Sequence, residues 1–438
     1  MTDFSRFPKN ATTNESVPPT GARSDTARDF ALGVVHSPDP ALAGHSQALG
    51  GSTLVVGRDV DAPGLCIADS ELSRLHYRVV FDGRAVRHRI GDAGSRNGTF
   101  VRGRRIDSAL LEAGDVVRAG STVFVYGDSD PMIRLMADVE RVQTGTLAVL
   151  VLGETGVGKE RVARALHDGS GREGDFVAVN CAAFSRDLLA AELFGHTRGA
   201  FSGATQARRG LFQTAHRGSL FLDEVGDLPL ELQAALLRVI EDGQVRAVGS
   251  DNSVVVDVRI VSATHADLEQ RVRSGQFRAD LFARLGQVVL RVPPLRERRA
   301  QVLSFASQFA REAGQDRLEL TADAAEALVK WDWPLNIREL RSLILGFSAM
   351  GQGSLDFDYL DEHHAELLVD FRHGPTPEGR ELEGPAPRDD RRALEARLRR
   401  HAGNVSAVAE ELGKPRAQVY RWLRAAGLVP SRYRSDST

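Results

Sequence analysis

The sequence predicts a multidomain protein: a β-sandwich, then an α/β sheet with a helical lid, then a small all-α helix-turn-helix. Three observations carry that reading. Short β-like runs punctuated by turn signals fill residues 30 to 126. From Gly127 onward, apolar strands alternate with amphipathic helices. Beyond a stretch rich in Pro and Gly, the chain turns basic and helical.

The 438 residues, 42% of them hydrophobic, are enough for about two to four independent cores. Only Cys66 and Cys181 occur, the N-terminus is polar where a signal peptide needs an apolar run, and nothing approaches the ~18 apolar residues of a membrane span. A reducing cytoplasm is the expected setting. The formal charge of −3 is unevenly spread. From Arg388 to the end, twelve Lys and Arg stand against six Asp and Glu, a local +6 that leaves −9 elsewhere. Such a basic module suits an anionic partner.

Residues 1–29, rich in Ser, Thr, Pro, Asn and Asp, have no apolar period and are expected to be disordered. Residues 30–126 hold the runs TLVVG, LCIAD, YRVVF, AVRHRI, GTFV, DVVRA and TVFVY, with turns at Asp82-Gly83 and Asn97-Gly98. Strands this short and this closely spaced predict a sandwich. TLAVLVLG, FVAVN, SLFLDE and VVDVRIVSAT then read as buried parallel strands, giving an α/β unit over 127–297. Residues 298–370 read as a helical subdomain, 371–387 as a linker and 388–430 as the helix-turn-helix.

Chemistry enters with VLVLGETGVGKE, an apolar strand followed by a glycine-rich loop and a helix. Gly153, Glu154, Thr155, Gly156, Val157, Gly158, Lys159 and Glu160 have P-loop spacing. Glycines let backbone amides converge on phosphates, the helix N-terminus adds positive potential, and the Lys ammonium reaches the β and γ phosphates of ATP. Glu160 stands where a Ser or Thr is usual, which removes one hydroxyl ligand for Mg²⁺. Further on, GSLFLDEVG ends a strand with Asp223 and Glu224. Two acids at the carboxyl edge of a parallel sheet suit Mg²⁺ coordination by the first and water activation by the second.

The stretch ELFGHTRGAFSGAT poses a different question. Phe201 stands among Gly199, Ala200, Ser202, Gly203 and Ala204 on what reads as a flexible loop. Burial is the ordinary fate of Phe, and glycines this dense argue against a regular element. Either the fold buries this loop, or Phe201 is meant to touch something else.

With these motifs in hand, residues 128 to the C-terminus resemble the bacterial enhancer-binding proteins, AAA+ ATPases that activate sigma-54 RNA polymerase. The ordered series comprises GETGVGKE, VNCAAF, ELFGH, GAFSGA, GSLFLDE, FRADLFARL, VPPLRERR and WPLNIREL. GAFSGA matches the family's GAFTGA signature, with Ser202 for Thr, and the resemblance implies that this loop engages sigma-54. It further implies Asn180 as a switch restraining Glu224, and Thr264 and His265 at the γ-phosphate sensor position. Arg278 and Arg284 would reach a neighbouring subunit's nucleotide, and Arg338 would report nucleotide state. Arginines supplied in trans imply a ring, by resemblance a hexamer. Leu335 replaces the family's usual Gly before Asn336.

Residues 50 to 126 separately resemble a forkhead-associated (FHA) domain. Gly57-Arg58, Ser73-Arg74-Leu75-His76 and Ser95-Arg96-Asn97-Gly98-Thr99 follow that family's order. The resemblance implies phosphothreonine binding, with Arg58 and Ser73 on the phosphate, Asn97 on the peptide backbone, and Arg74 and Arg96 alongside. His76 is expected to be a packing residue. The phosphothreonine would come from another protein or from the N-terminal tail.

The C-terminal RRALEARLRRHAGNVSAVAEELGKPRAQVYRWLRAAGL has helical apolar spacing and a turn at Gly413. It resembles the family's Fis-type DNA-binding end. Arg416, Gln418, Tyr420, Arg421 and Arg424 are the expected DNA contacts, with Val419, Trp422 and Leu423 toward the core. Two other readings remain open: a DNA- and phosphopeptide-binding regulator without ATP turnover, and an AAA+ remodeller of a different client.

Overall fold

The computed structural model describes residues 30–42, 44–49, 53–61, 63–127, 131–201, 204–350, 353–368 and 391–401, and single positions from 408 to 433. The expected tail, 1–29, and linker, 371–387, lie outside the described residues.

Among the described residues, eleven strands form the first unit: β1 Ala31–His36, β2 Ser46–Ala48, β3 Leu54–Gly57, β4 Leu65–Cys66, β5 Tyr77–Asp82, β6 Arg87–Asp92, β7 Thr99–Val101, β8 Arg104–Ile106, β9 Ser108–Leu110, β10 Asp115–Ala119 and β11 Thr122–Gly127. They make two sheets, in the orders β2-β1-β11-β10-β7-β8 and β4-β3-β5-β6-β9. Their facing residues Leu32, Val56, Tyr77, Val79, Ile90, Val117 and Phe124 are completely buried. The period of two along each strand supplies this core, and at Asp82 the side chain accepts from the Arg84 and Ala85 amides to close the predicted turn.

The α/β unit begins with α1 Pro131–Val142 and runs β12 Val149–Leu152, α2 Lys159–Asp168, β13 Phe176–Asn180, α3 Arg186–Phe194, β14 Gly195–His196, β15 Arg208–Arg209, α4 Leu211–Thr214 and β16 Ser219–Asp223. It continues through α5 Leu230–Asp242, β17 Gln244–Arg246, β18 Ser253–Val255, β19 Arg259–Thr264, α6 Leu268–Arg273, α7 Ala279–Leu285 and β20 Val288–Arg291. The main sheet has the order β13-β16-β19-β12-β20, and every neighbouring pair is parallel. All carboxyl ends therefore lie along one edge. Apolar clusters cover both faces of the sheet, which accounts for the near-continuous apolar runs.

The lid consists of α8 Val302–Glu312, α9 Ala322–Lys330, α10 Asn336–Met350 and α11 Phe357–His363. Its core does not stop at the lid. Val116, Val123 and Val125, on the outer face of the sandwich sheet, join Leu295, Val302, Ala324, Leu328 and Trp333 in one buried cluster. The alternation is clean, because Val117 and Phe124 turn inward while Val116 and Val123 turn to the lid. Arg118 adds an ion pair with Glu326 at 2.6 Å, and the Lys330 ammonium donates to the Arg102 carbonyl at 3.1 Å. Thus the sandwich rests on helix α9.

Near the C-terminus, α12 Arg391–Arg400 packs Leu394 and Leu398 against Val408, Val419 and Leu423, with Trp422 at the cluster's margin. Val419, Trp422 and Leu423 are thereby on the core side. The five expected DNA contacts, Arg416, Gln418, Tyr420, Arg421 and Arg424, lie outside the described residues.

Candidate active site

β16, β19 and β12 are adjacent, so their carboxyl ends bring Asp223, Thr264 and the Gly153–Gly158 loop together. The loop leads into α2, with Gly158 at the helix N-cap in the left-handed region at φ 99°. Gly156 is also left-handed, at φ 77°, and a Cβ there would stand 2.2 Å from the Leu335 carbonyl oxygen of the lid. Any larger residue would therefore force the loop and lid apart. Lys159 is 7% exposed and donates to the carbonyls of Gly153, at 2.9 Å, and Glu154, at 3.3 Å. Its ammonium is thereby held over the loop.

Glu224 follows Asp223 in a strained left-handed conformation, φ 52°, unusual for a residue with a Cβ. One carboxylate oxygen, Oε2, accepts from the Thr264 hydroxyl at 3.4 Å, the His265 amide at 3.2 Å and His265 Nδ1 at 2.8 Å. The other, Oε1, faces the Lys159 ammonium at 3.5 Å. Burial pushes Glu224 upward, but the His265 hydrogen bond and the Lys159 charge outweigh it, so the carboxyl sits below its usual range. Asp223 is moved the other way, raised by burial and then by the Glu224 charge.

Asn180, whose resemblance-based role is to restrain Glu224, is placed differently. Its amide donates to Asp223 Oδ2 at 3.4 Å and its carbonyl accepts from the Ala182 N–H at 2.9 Å. Arg278 caps α7 and pairs with Asp280 at 2.7 Å, while Arg284 pairs with Glu241 at 3.2 Å. Both arginines are exposed, and each is paired with an acid of its own chain. Arg338 is exposed on the first turn of α10, its Cβ beside Gly156. Glu160 is exposed and adds to the negative field on Asp223.

Sequence reasoning missed the tie between loop and lid. Glu154 receives both Arg296 nitrogens, at 2.6 and 2.9 Å, and the Asn336 amide at 3.0 Å. Asn336 is completely buried, also bonds the Thr155 carbonyl, and accepts from the Leu295 N–H. These partners lie some 140 to 180 positions apart in sequence, and no local pattern announces them.

The GAFSGA segment rises from the β14–β15 pair. Gly199 is left-handed at φ 83°, its N–H donates to the Ala204 carbonyl, and Ala204 N–H donates back to Phe201. Phe201 is half-buried against the His196 ring, with centroids 5.0 Å apart and planes at 61°. This differs from a fully presented side chain, because a small turn folds the ring back onto its own base. The foot is braced by the β17–β18 hairpin through Thr197, which bonds Val248 and Gly249. Ser202 and Gly203 lie outside the described residues.

At the loop end of the sandwich, Gly57 is packed so tightly that a Cβ would stand 2.0 Å from the Arg74 carbonyl oxygen. Arg58 follows, exposed. The Ser73 hydroxyl accepts from the Arg96 N–H at 3.0 Å, and the Asn97 amide donates to the Glu71 carbonyl at 2.8 Å. His76, completely buried, accepts from the Ser73 N–H through Nδ1 at 3.1 Å, which leaves Nε2 to donate to the Gly98 carbonyl at 3.2 Å. Arg58, Ser73, Arg74, Arg96 and Asn97 thus share one end of the sandwich, and His76 locks two of its loops.

Comparison with known proteins agrees with this fold. Residues 54–120 match a family model described as an FHA domain, 125–291 the sigma-54 interaction domain, 296–368 an AAA+ ATPase lid domain, and 387–425 a bacterial regulatory protein of the Fis family. The regulatory protein AtoC of Escherichia coli K12 is 36% identical over 342 residues, spanning 75% of this chain and 74% of AtoC. The chain belongs to the sigma-54-dependent transcriptional activators. The DNA-binding transcriptional regulator NtrC of the same strain is 38% identical over 334 residues, covering 70% of this chain and 71% of NtrC. The nitric oxide reductase transcription regulator NorR1 of Cupriavidus necator is 40% identical over 327 residues, and the match spans 69% of this chain and 63% of NorR1. Among solved structures, NtrX from Brucella abortus superimposes with a TM-score of 0.51 at 34% identity, covering 69% of each chain. Within the activator family, this chain carries an FHA domain ahead of its sigma-54 interaction domain.

Proposed function

We propose that this activator hydrolyses ATP as a hexameric ring, bound to upstream DNA through its Fis-type end, and uses the energy to remodel sigma-54 RNA polymerase in the cytoplasm. The observation that carries the reading is the meeting of Lys159, Asp223, Glu224 and Thr264 at three adjacent strand ends, in the same domain as the GAFSGA loop.

Gly153 to Gly158 and Lys159 cradle the phosphates, with Thr155, Val157 and Glu160 lining the turn into α2. Asp223 fits a divalent cation: burial and Glu224 raise its carboxyl, so a positive charge beside it would relieve both effects. A Mg²⁺ bound there would neutralise charge on the β and γ phosphates. Glu224 accepts the proton of the attacking water. Arg278 and Arg284 exchange Asp280 and Glu241 for the neighbouring subunit's nucleotide, and Arg338 carries nucleotide state to the lid. The FHA domain takes a phosphothreonine peptide at Arg58, Ser73 and Asn97 and acts on the ring through the lid on which it rests.

The test is reconstituted transcription from a sigma-54 promoter. Open complexes should form with ATP and fail with a non-hydrolysable analogue. Equal open-complex formation with both nucleotides would exclude a hydrolytic activator and favour a binding regulator.

A further inference from the structure

We propose that His265 is a positioning residue for the general base: it anchors one oxygen of Glu224 so that the other points at the nucleotide. The inference rests on Glu224 being the base, as proposed above, and reassigns the partner that orients it.

The two carboxylate oxygens of Glu224 are not equivalent. Oε2 collects three donors from the end of β19, the shortest of them His265 Nδ1 at 2.8 Å, with the His265 amide at 3.2 Å and the Thr264 hydroxyl at 3.4 Å. An ionised carboxylate only accepts, so Nδ1 carries the hydrogen and the imidazole tautomer is fixed by this contact. Oε1 has one long contact, to Lys159 at 3.5 Å. When ATP arrives, the ammonium turns to the β and γ phosphates and Oε1 is left as the basic oxygen facing them. Hydrolysis then balances with Oε1 as the acceptor: the water oxygen bonds to the γ phosphorus, the bond to the β–γ bridging oxygen breaks with its electron pair leaving on ADP, and a water proton passes to Oε1. The backbone of Glu224 is left-handed at φ 52°, a conformation that persists only where surrounding contacts hold it, and the donors on Oε2 are such contacts. Asn180 does not supply one, because its amide is on Asp223. The His265 side chain is about half exposed and meets the carboxylate just beyond the end of β19.

The experiment measures steady-state ATPase, together with the affinities for ADP and for a non-hydrolysable ATP analogue, on the full chain. His265→Ala should lower kcat by about tenfold or more, the span expected for a hydrogen bond to a charged group, while the KM for ATP changes by less than about twofold. The ratio of analogue to ADP affinity should be unchanged. His265→Asn, whose side-chain amide can donate from nearly the same point, should recover most of kcat. Loss of discrimination between the analogue and ADP would make His265 a direct γ-phosphate sensor and overturn the proposal, as would failure of the Asn variant to recover activity. Glu224→Gln separates the two layers. If it hydrolyses ATP at the wild-type rate, the assignment of the base falls; if it is inactive while His265→Ala keeps wild-type kcat, only the positioning role falls.

Discussion

Arg118 of the sandwich and Glu326 of helix α9 form an ion pair at 2.6 Å, in which the Glu326 side chain is 1% exposed and the arginine 20%. Burial pushes the Glu326 carboxyl upward and Arg118 pulls it back, so the net shift is upward. A charge this deep is tolerated only while its partner remains.

Arg118→Ala should therefore destabilise the protein by about 3 kcal/mol or more, the cost of an uncompensated buried charge. The double variant Arg118→Met, Glu326→Leu should be close to neutral, since it replaces the pair by apolar volume in an apolar cluster. Denaturant unfolding of the three proteins checks this. A single-variant loss below about 0.5 kcal/mol would mean that the joint is held by Val116, Val123 and Val125 alone.

In the ATPase site, Lys159→Ala should abolish nucleotide binding, whereas Glu224→Gln should bind ATP and turn it over slowly. Arg284→Ala should bind nucleotide normally and fail in turnover. Wild-type hydrolysis should rise more steeply than linearly with protein concentration, as a trans arginine requires. Full specific activity from a monomer, verified by analytical ultracentrifugation, would contradict the trans assignment.

At the FHA end, Arg58→Ala should weaken a phosphothreonine peptide by about tenfold or more in calorimetry, because a charge-assisted hydrogen bond is lost. His76 gives the same region a pH dependence. Burial lowers its pKa from 6.5, and its Nδ1 must stay unprotonated to accept from Ser73. The unfolded chain takes up that proton first. Stability from this group is thus complete above about pH 6.5 and falls as the pH drops from there toward the lowered folded value. The protection of the Ser73 amide, its exchange rate corrected for the intrinsic slowing of exchange in acid, should fall over that window in the wild type and show no such step in His76→Asn.

Phe201→Ala should lower the melting temperature little, since the half-buried ring gives up mainly its edge contact with His196, worth about 0.5 to 1.5 kcal/mol. ATPase should persist while capture of sigma-54 in the presence of a transition-state analogue is lost. A large fall in stability together with ATPase would return the loop to a purely packing role.

How much of this was legible depended on sequence distance. The P-loop and the Asp223-Glu224 pair are local, an apolar strand followed at once by the reacting groups, and the parallel topology converts strand ends into a shared edge. The restraint on Glu224 is a through-space matter, and a motif could not separate Asn180 from His265. The joint between sandwich and lid did leave a trace. TVFVY and DVVRA are apolar at successive positions, whereas a sandwich strand with a wet outer face alternates. Val116, Val123 and Val125 were the surplus, and helix α9, built largely of Ala, gave no matching signal of what would cover them.

That joint changes what a truncated chain would report. A protein cut near Gly127 would bare Leu328 and its neighbours, together with the Glu326 carboxylate, to water. Any gain or loss of activity in such a fragment would mix the removal of a signal with the denuding of a helix, and clumping would pass for repression. Physically the sensor here is less a hat that can be lifted off the engine than part of its casing.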